Sequence, residues 1–148
     1  MLALLLFLDD IDLVQTQDLP VAELWYFLPF GYLVTILIET PILLVGLSPK
    51  VSLARKFFCG AWLTACTYPI VVLVLPTVFF GEPRWLYLLV AETFAPVGEC
   101  VLFWLAFRRR LSLNACDWVR CLAAITLANL ASFGTGEVID YYHLFAFF

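Results

Sequence analysis

The sequence predicts an all-α integral membrane protein, a four-helix bundle built as a duplicated helical hairpin with both termini on the outer side. Three observations lead there. The 148 residues are 64% hydrophobic and 14% charged, against roughly 45–50% and about 25% in soluble domains. A globule of this size leaves too many residues at its surface to hide that much apolar area from water. Four apolar runs reach the roughly 20 residues needed to cross a hydrocarbon layer, and the basic residues gather on one side of those runs.

Taken in order, the chain opens on "MLALLLFLDD". This stretch lacks the positive n-region and small-residue cleavage site of a signal peptide. Its apolar part reaches only about 12 Å as a helix, so residues 1–23 are expected to form an outer interfacial segment. The spans are expected near 24–47, 57–80, 85–107 and 117–139. "SPKVSLARK", "GEP" and "RRRLSLNACD" separate them, with Pro49, Gly81 and Pro83 as helix breakers. Connections this short join antiparallel neighbours. "YYHLFAFF" closes the chain as an outer aromatic anchor.

Lys50, Arg55 and Lys56 fall in the first connection, and Arg108, Arg109, Arg110 and Arg120 in or beside the third; only Arg84 lies on the other side. The positive-inside rule then makes loops 48–56 and 108–117 cytoplasmic. A bacterial inner (plasma) membrane is the expected location.

The two halves echo each other. Trp25 precedes Glu39 by fourteen residues, as Trp85 precedes Glu99. Ser52-Leu53 and Ser112-Leu113 follow thirteen residues later, and Cys59-x-Ala61-x-x-Thr64-x-x-Thr67 matches Cys121-x-Ala123-x-x-Thr126-x-x-Asn129. Such a repeat would relate two hairpins by an axis along the membrane normal.

Each span carries one polar stripe at helical spacing: Tyr32, Thr35 and Glu39; Gly60, Thr64, Thr67 and Tyr68; Glu92, Ala95, Pro96 and Glu99; Thr126, Asn129, Ser132 and Gly136. Small and hydroxyl residues at this spacing pack helices closely in lipid. Counted from Trp25 and Trp85 at 1.5 Å per residue, Glu39 and Glu99 both lie about 21 Å deep and Glu92 about 10 Å. Glu39 and Glu99 are therefore expected to be level neighbours, and Glu92 to face Asn129 and Ser132. An ionised carboxylate at the bilayer centre costs at least about 2.5–3.5 kcal/mol, and no cationic side chain lies at these depths. The acids are then protonated helix glue, or hold a proton or metal cation, or meet a cation from a partner chain. Glu39, Glu92, Glu99, Asn129, Ser132, Thr67 and Tyr68 form the candidate polar site, with Pro69 and Pro96 as helix-kinking residues that free backbone carbonyls.

His143 is the single histidine, so neither a bis-His haem nor a Ser–His or Cys–His pair can be assembled at depth. The five cysteines make no metal-ligand spacing. No catalytic residue and no metal site are expected, no cofactor beyond a bound cation or lipid, and no nucleic-acid surface. Lipid, other membrane chains or further copies of this one are the expected partners.

"TACTYPIV", "AETFAPVGE" and "LANLASFGTG" resemble a pattern in small bacterial four-helix membrane proteins. It has Thr64, Thr67 and Pro69 on the second helix, Glu92 and Glu99 on the third, and Asn129, Ser132 and Gly136 on the fourth. Where that pattern often has a histidine before the proline, this chain has Tyr68. The resemblance implies the fold and no activity. Two functions follow from the residues: a non-catalytic subunit or self-associating component of a membrane complex, or a small proton- or cation-conducting transporter or channel using the intramembrane glutamates.

Overall fold

The computed structural model describes residues 21–141. The outer segment expected over 1–23 falls outside them except for its last three residues, which are helical, and the closing stretch from Tyr142 also lies outside. Among the described residues all regular structure is helical: α1 (Val21–Gly46), α2 (Leu53–Pro69), a π-helical segment (Ile70–Val74), α3 (Leu75–Val78), α4 (Arg84–Phe107) and α5 (Ala115–Tyr141). α2, the π segment and α3 run on without a break. Four stretches, Leu28–Gly46, Leu53–Val78, Trp85–Phe107 and Ala115–Val138, are thus long and apolar enough to cross a membrane.

The second and fourth spans start earlier than the sequence suggests, at Leu53 and Ala115. Ser52 is the N-cap of α2. Asn114 caps α5 reciprocally: its Oδ1 accepts from the Asp117 backbone N–H at 2.8 Å, and Asp117 Oδ2 accepts from the Asn114 N–H at 3.1 Å. This two-way bond is a capping box. The basic connections therefore shorten to 47–52 and 108–114.

Pro69 does not stop its helix. The backbone widens beyond it, where the Leu75 N–H reaches back five residues to the Ile70 carbonyl, in the turn before Pro76, whose ring would otherwise meet the Val72 carbonyl. The Tyr87 hydroxyl on α4 donates to the Val71 carbonyl inside this segment at 3.2 Å, so a neighbouring helix satisfies loosened backbone, as an apolar surrounding requires. Pro96 is buried within α4, which runs through it uninterrupted. Gly81, at φ +83°, turns the chain between α3 and α4, a conformation that only glycine adopts without strain.

α1 packs between α2 and α5, and α4 packs between the same two helices from the far side. α1 and α4 thus occupy one diagonal of a four-cornered bundle. Small residues set the closest approaches. A Cβ on Gly60 of α2 would collide with Thr40 Oγ1 on α1, and one on Gly46 of α1 would come within 2.6 Å of Ala124 Cβ on α5. Removing a side chain lets backbones meet at such points.

The basic connections gather at one end of the bundle, and two basic side chains of the adjoining helix turns serve the end of α1. Its last turn contains no basic residue, and its final carbonyls have no intrahelical donor. Lys56 Nζ donates to the Leu44 and Leu47 carbonyls at 2.9 and 2.8 Å. Arg120 donates to Gly46 and Val45 at 2.8 and 3.0 Å. Lys50 pairs with Asp117 at 2.6 Å, whose other oxygen accepts the Ser48 hydroxyl at 2.7 Å.

The buried apolar core fills this same half. Leu43, Leu47, Leu63, Phe103, Ile125 and Ala128 are all nearly or fully inaccessible. In the other half, the buried hydrophobic residues among those described are Leu75 and Ala91.

Candidate functional site

Glu39 on α1 and Glu99 on α4 are 2% and 1% exposed and lie just above that apolar core. Helix direction explains how they find partners. Side chains lean toward their helix's N-terminus, so the two glutamates lean away from the basic end. Residues on α2 and α5, which start at the basic end, lean toward it. The two sets meet.

Thr64 Oγ1 lies 2.7 Å from Glu39 Oε2, and Ser132 Oγ 2.7 Å from Glu39 Oε1. Thr67 Oγ1 lies 2.9 Å from Glu99 Oε1, and the Asn129 amide donates to Glu99 Oε2 at 2.8 Å. Every oxygen of the two carboxyls therefore has one partner, and each carboxyl takes one from α2 and one from α5.

Three of the four partners are hydroxyls that also touch their own helix backbone. Thr64 lies 2.9 Å from the Gly60 carbonyl, Ser132 2.9 Å from the Asn129 carbonyl, and Thr67 3.2 Å from the Leu63 carbonyl. A hydroxyl carries one hydrogen and accepts through two lone pairs. With that hydrogen turned to the carboxyl, the hydroxyl serves a carboxylate. With it turned to the backbone, the hydroxyl accepts, and the carboxyl must supply the proton. Either protonation state is accommodated by rotating hydroxyl hydrogens, with no movement of heavy atoms.

Asn129 has no such freedom. Its second amide hydrogen goes to the Ile125 carbonyl at 3.1 Å, so Nδ2 faces Glu99 with a hydrogen in place. Glu99 Oε2 is therefore held by a donor in either arrangement of the hydroxyls. Among the described residues no three His, Cys, Asp or Glu side chains converge.

The structure corrects two of the placements expected from sequence. Asn129 and Ser132 serve Glu99 and Glu39, not Glu92. A depth count fails on α5 because its outer end carries no Trp to mark the interface. The Ser48 N–H donates to Cys121 Sγ at 3.4 Å, which sets α1 and α5 level at the basic end. From that level Ser132 stands roughly 16–17 Å up and Glu39 roughly 13–14 Å, a gap that the opposed tilt closes. Glu92 is half-buried and stands outside the hydrogen-bonded set. Tyr68 also stands apart from the acids; its ring lies against that of Tyr32, centroids 6.2 Å apart.

Thr64 belongs to the site, although its sequence context marks it only as part of a packing stripe. Its position three residues before Thr67, on the same face, is the signal that could have found it. Tyr32 likewise has a structural role: its hydroxyl donates to the Ala61 carbonyl at 2.8 Å.

Surroundings differ on the two sides of the pair. Toward the basic end lies the apolar core. Toward the other end the helices present Tyr32, Thr35, Tyr68, Glu92, Thr135 and Glu137, all partly exposed. No protein-family model matches this chain, and neither a curated protein nor a solved structure shows significant similarity to it.

Proposed function

We propose that this is a multi-pass protein of the bacterial inner membrane, with loops 47–52 and 108–114 cytoplasmic, in which Glu39 and Glu99 take up and release protons. On this reading the protein is a small proton-handling transporter or channel. The observation that carries it is the set of three hydroxyls, Thr64, Thr67 and Ser132, each within hydrogen-bond distance of both a carboxyl oxygen and a backbone carbonyl. Ionisable residues at membrane depth are costly and commonly mark such pathways. The apolar half of the bundle favours exchange from the outer end, past Glu137 and Glu92.

The duplicated hairpin is part of the same proposal. Glu39 and Glu99 sit on opposite corners, as a two-fold axis along the bundle would place them. Cys59 and Cys121, which match in the repeat, are both fully buried. Thr126, the counterpart of Thr64, instead bonds its own helix at Leu122 and contacts Cys100, so the two halves have diverged at the site.

A second reading, a non-catalytic subunit or self-associating component, is supported by the short connections. Among the described residues the lipid-facing helix surfaces are the largest areas on which a partner could dock.

Reconstitution into proteoliposomes with an internal pH dye tests the first reading. Glu39→Gln and Glu99→Gln should each reduce proton flux at least tenfold while the variants still insert and melt cooperatively. Flux equal to the wild type in both would sink the proposal. Mass measurement of the detergent-solubilised protein tests the second, which a lone monomer would contradict.

A further inference from the structure

We infer that the basic end carries a binding site for the headgroup of an anionic phospholipid, formed at the basic ends of the packed helices α2 and α4 by Arg55, Arg108, Arg109 and Arg110. The fold already uses three of the cations at this end. Lys56 and Arg120 are committed to the α1 carbonyls and Lys50 to Asp117. Asp117 is the only acid at that end among the described residues, and Ser48 and Lys50 already occupy it. The four arginines are exposed and make no ion pair with a described residue.

Their placement is not a uniform collar. Arg55 lies in the first turn of α2, and Arg108–Arg110 directly follow α4. Those two helices are packed neighbours, so the unpaired charge lies along one side of the bundle's basic end. Arg55 also stands where the helix dipole is positive, in a turn with no acidic residue. A cation there is unfavourable alone, whereas an anion is favoured by both the dipole and the guanidinium.

The apolar surface below the arginines identifies the source of the anion. Arg108 lies over the exposed Trp104 ring, 4.4 Å from its centroid. Phe58 and Leu105 are exposed on the same two helices, and Phe58 stacks on Trp62 with centroids 5.7 Å apart. Guanidinium groups that pair bidentately with phosphate above an aromatic, apolar wall match a headgroup with its acyl chains, and not a free phosphate. The site rests on the membrane reading but is independent of what Glu39 and Glu99 do.

The test uses the full chain in nanodiscs of equal phosphatidylcholine and phosphatidylglycerol, with retained lipid counted by native mass spectrometry. The wild type should retain phosphatidylglycerol preferentially. Each arginine changed to Gln should lower that preference by about fivefold, and the combined R55Q/R108Q/R109Q/R110Q protein should show none. Lys50→Gln, at the same end but engaged with Asp117, should leave it within about twofold, and melting of the arginine variants in detergent should match the wild type. Equal retention by wild type and the fourfold variant would overturn the site. Full displacement of the lipid by inorganic phosphate would overturn its lipid character. So would an acidic protein that co-purifies only with the wild type while lipid retention is unchanged.

Discussion

Ser132 and Glu39 stand 93 positions apart in the chain and are joined by a 2.7 Å hydrogen bond across the α1–α5 interface. Through Glu39 the same contact extends to Thr64 on α2, so one buried carboxyl ties three helices together. Glu99 does the same from the opposite corner through Thr67 and Asn129. The pair is therefore a structural keystone whatever protons it carries, and stability and flux must be measured side by side.

Ser132→Ala and Thr64→Ala should each destabilise the bundle modestly. Hydrogen bonds between membrane helices average about 0.6 kcal/mol and reach about 1.7. A double-mutant cycle between Ser132→Ala and Glu39→Ala, read by unfolding in mixed micelles, should give a coupling in that range. A coupling indistinguishable from zero would mean that the contact contributes nothing to folding.

Gly60→Ala should be among the costliest small changes, at about 1–3 kcal/mol for overpacking, because the new methyl meets Thr40. Thr40→Ala in the same chain should recover part of the loss. Gly134→Ala and Gly136→Ala, where a Cβ meets nothing within 4 Å, serve as controls. They should be neutral or stabilise by up to about 1 kcal/mol, since alanine is the better helix former.

Thr40 offers a stabilising substitution. Its Oγ1 is buried and lacks a hydrogen-bond partner, and an unsatisfied buried polar group costs about 1–3 kcal/mol. Thr40→Val keeps the shape and removes the unmet hydroxyl, so the melting temperature in detergent should rise. A fall would show that the hydroxyl is satisfied in the membrane.

Lys56→Met should strip the donor from the Leu44 and Leu47 carbonyls, and Arg120→Leu should strip it from Val45 and Gly46. Each loss is expected to cost about 1–3 kcal/mol. Hydrogen exchange should show the last turn of α1 opening faster in both variants. Lys56→Arg, which keeps a donor, should fall between wild type and Lys56→Met. Unchanged exchange in Lys56→Met would remove the capping role.

Part of the site is legible in the sequence. Trp25 and Trp85 each precede a glutamate by fourteen residues, and that spacing alone puts Glu39 and Glu99 at one depth. The stripes on α2 and α5 name Thr67, Asn129 and Ser132 as inward-facing. Their pairing is not legible, because a depth count needs a common origin for every helix, and α5 has one only through the Ser48–Cys121 contact. Pro69 is readable as a disturbance, but that the helix runs on through it, and that Tyr87 of another helix reaches the Val71 carbonyl beyond it, is not.

By itself the sequence determined that there would be four long apolar helices, where they would end to within a few residues, and that acids would be buried among them. Those are properties of composition, breaker residues and helical period, which act locally. Only the tertiary structure decided that α1 and α4 stand on one diagonal, that four donors from the other two helices close on their carboxyls, and that Glu92 is left outside. Such choices depend on helix direction, vertical offset and the close approaches at Gly46 and Gly60, which arise only when the helices are packed.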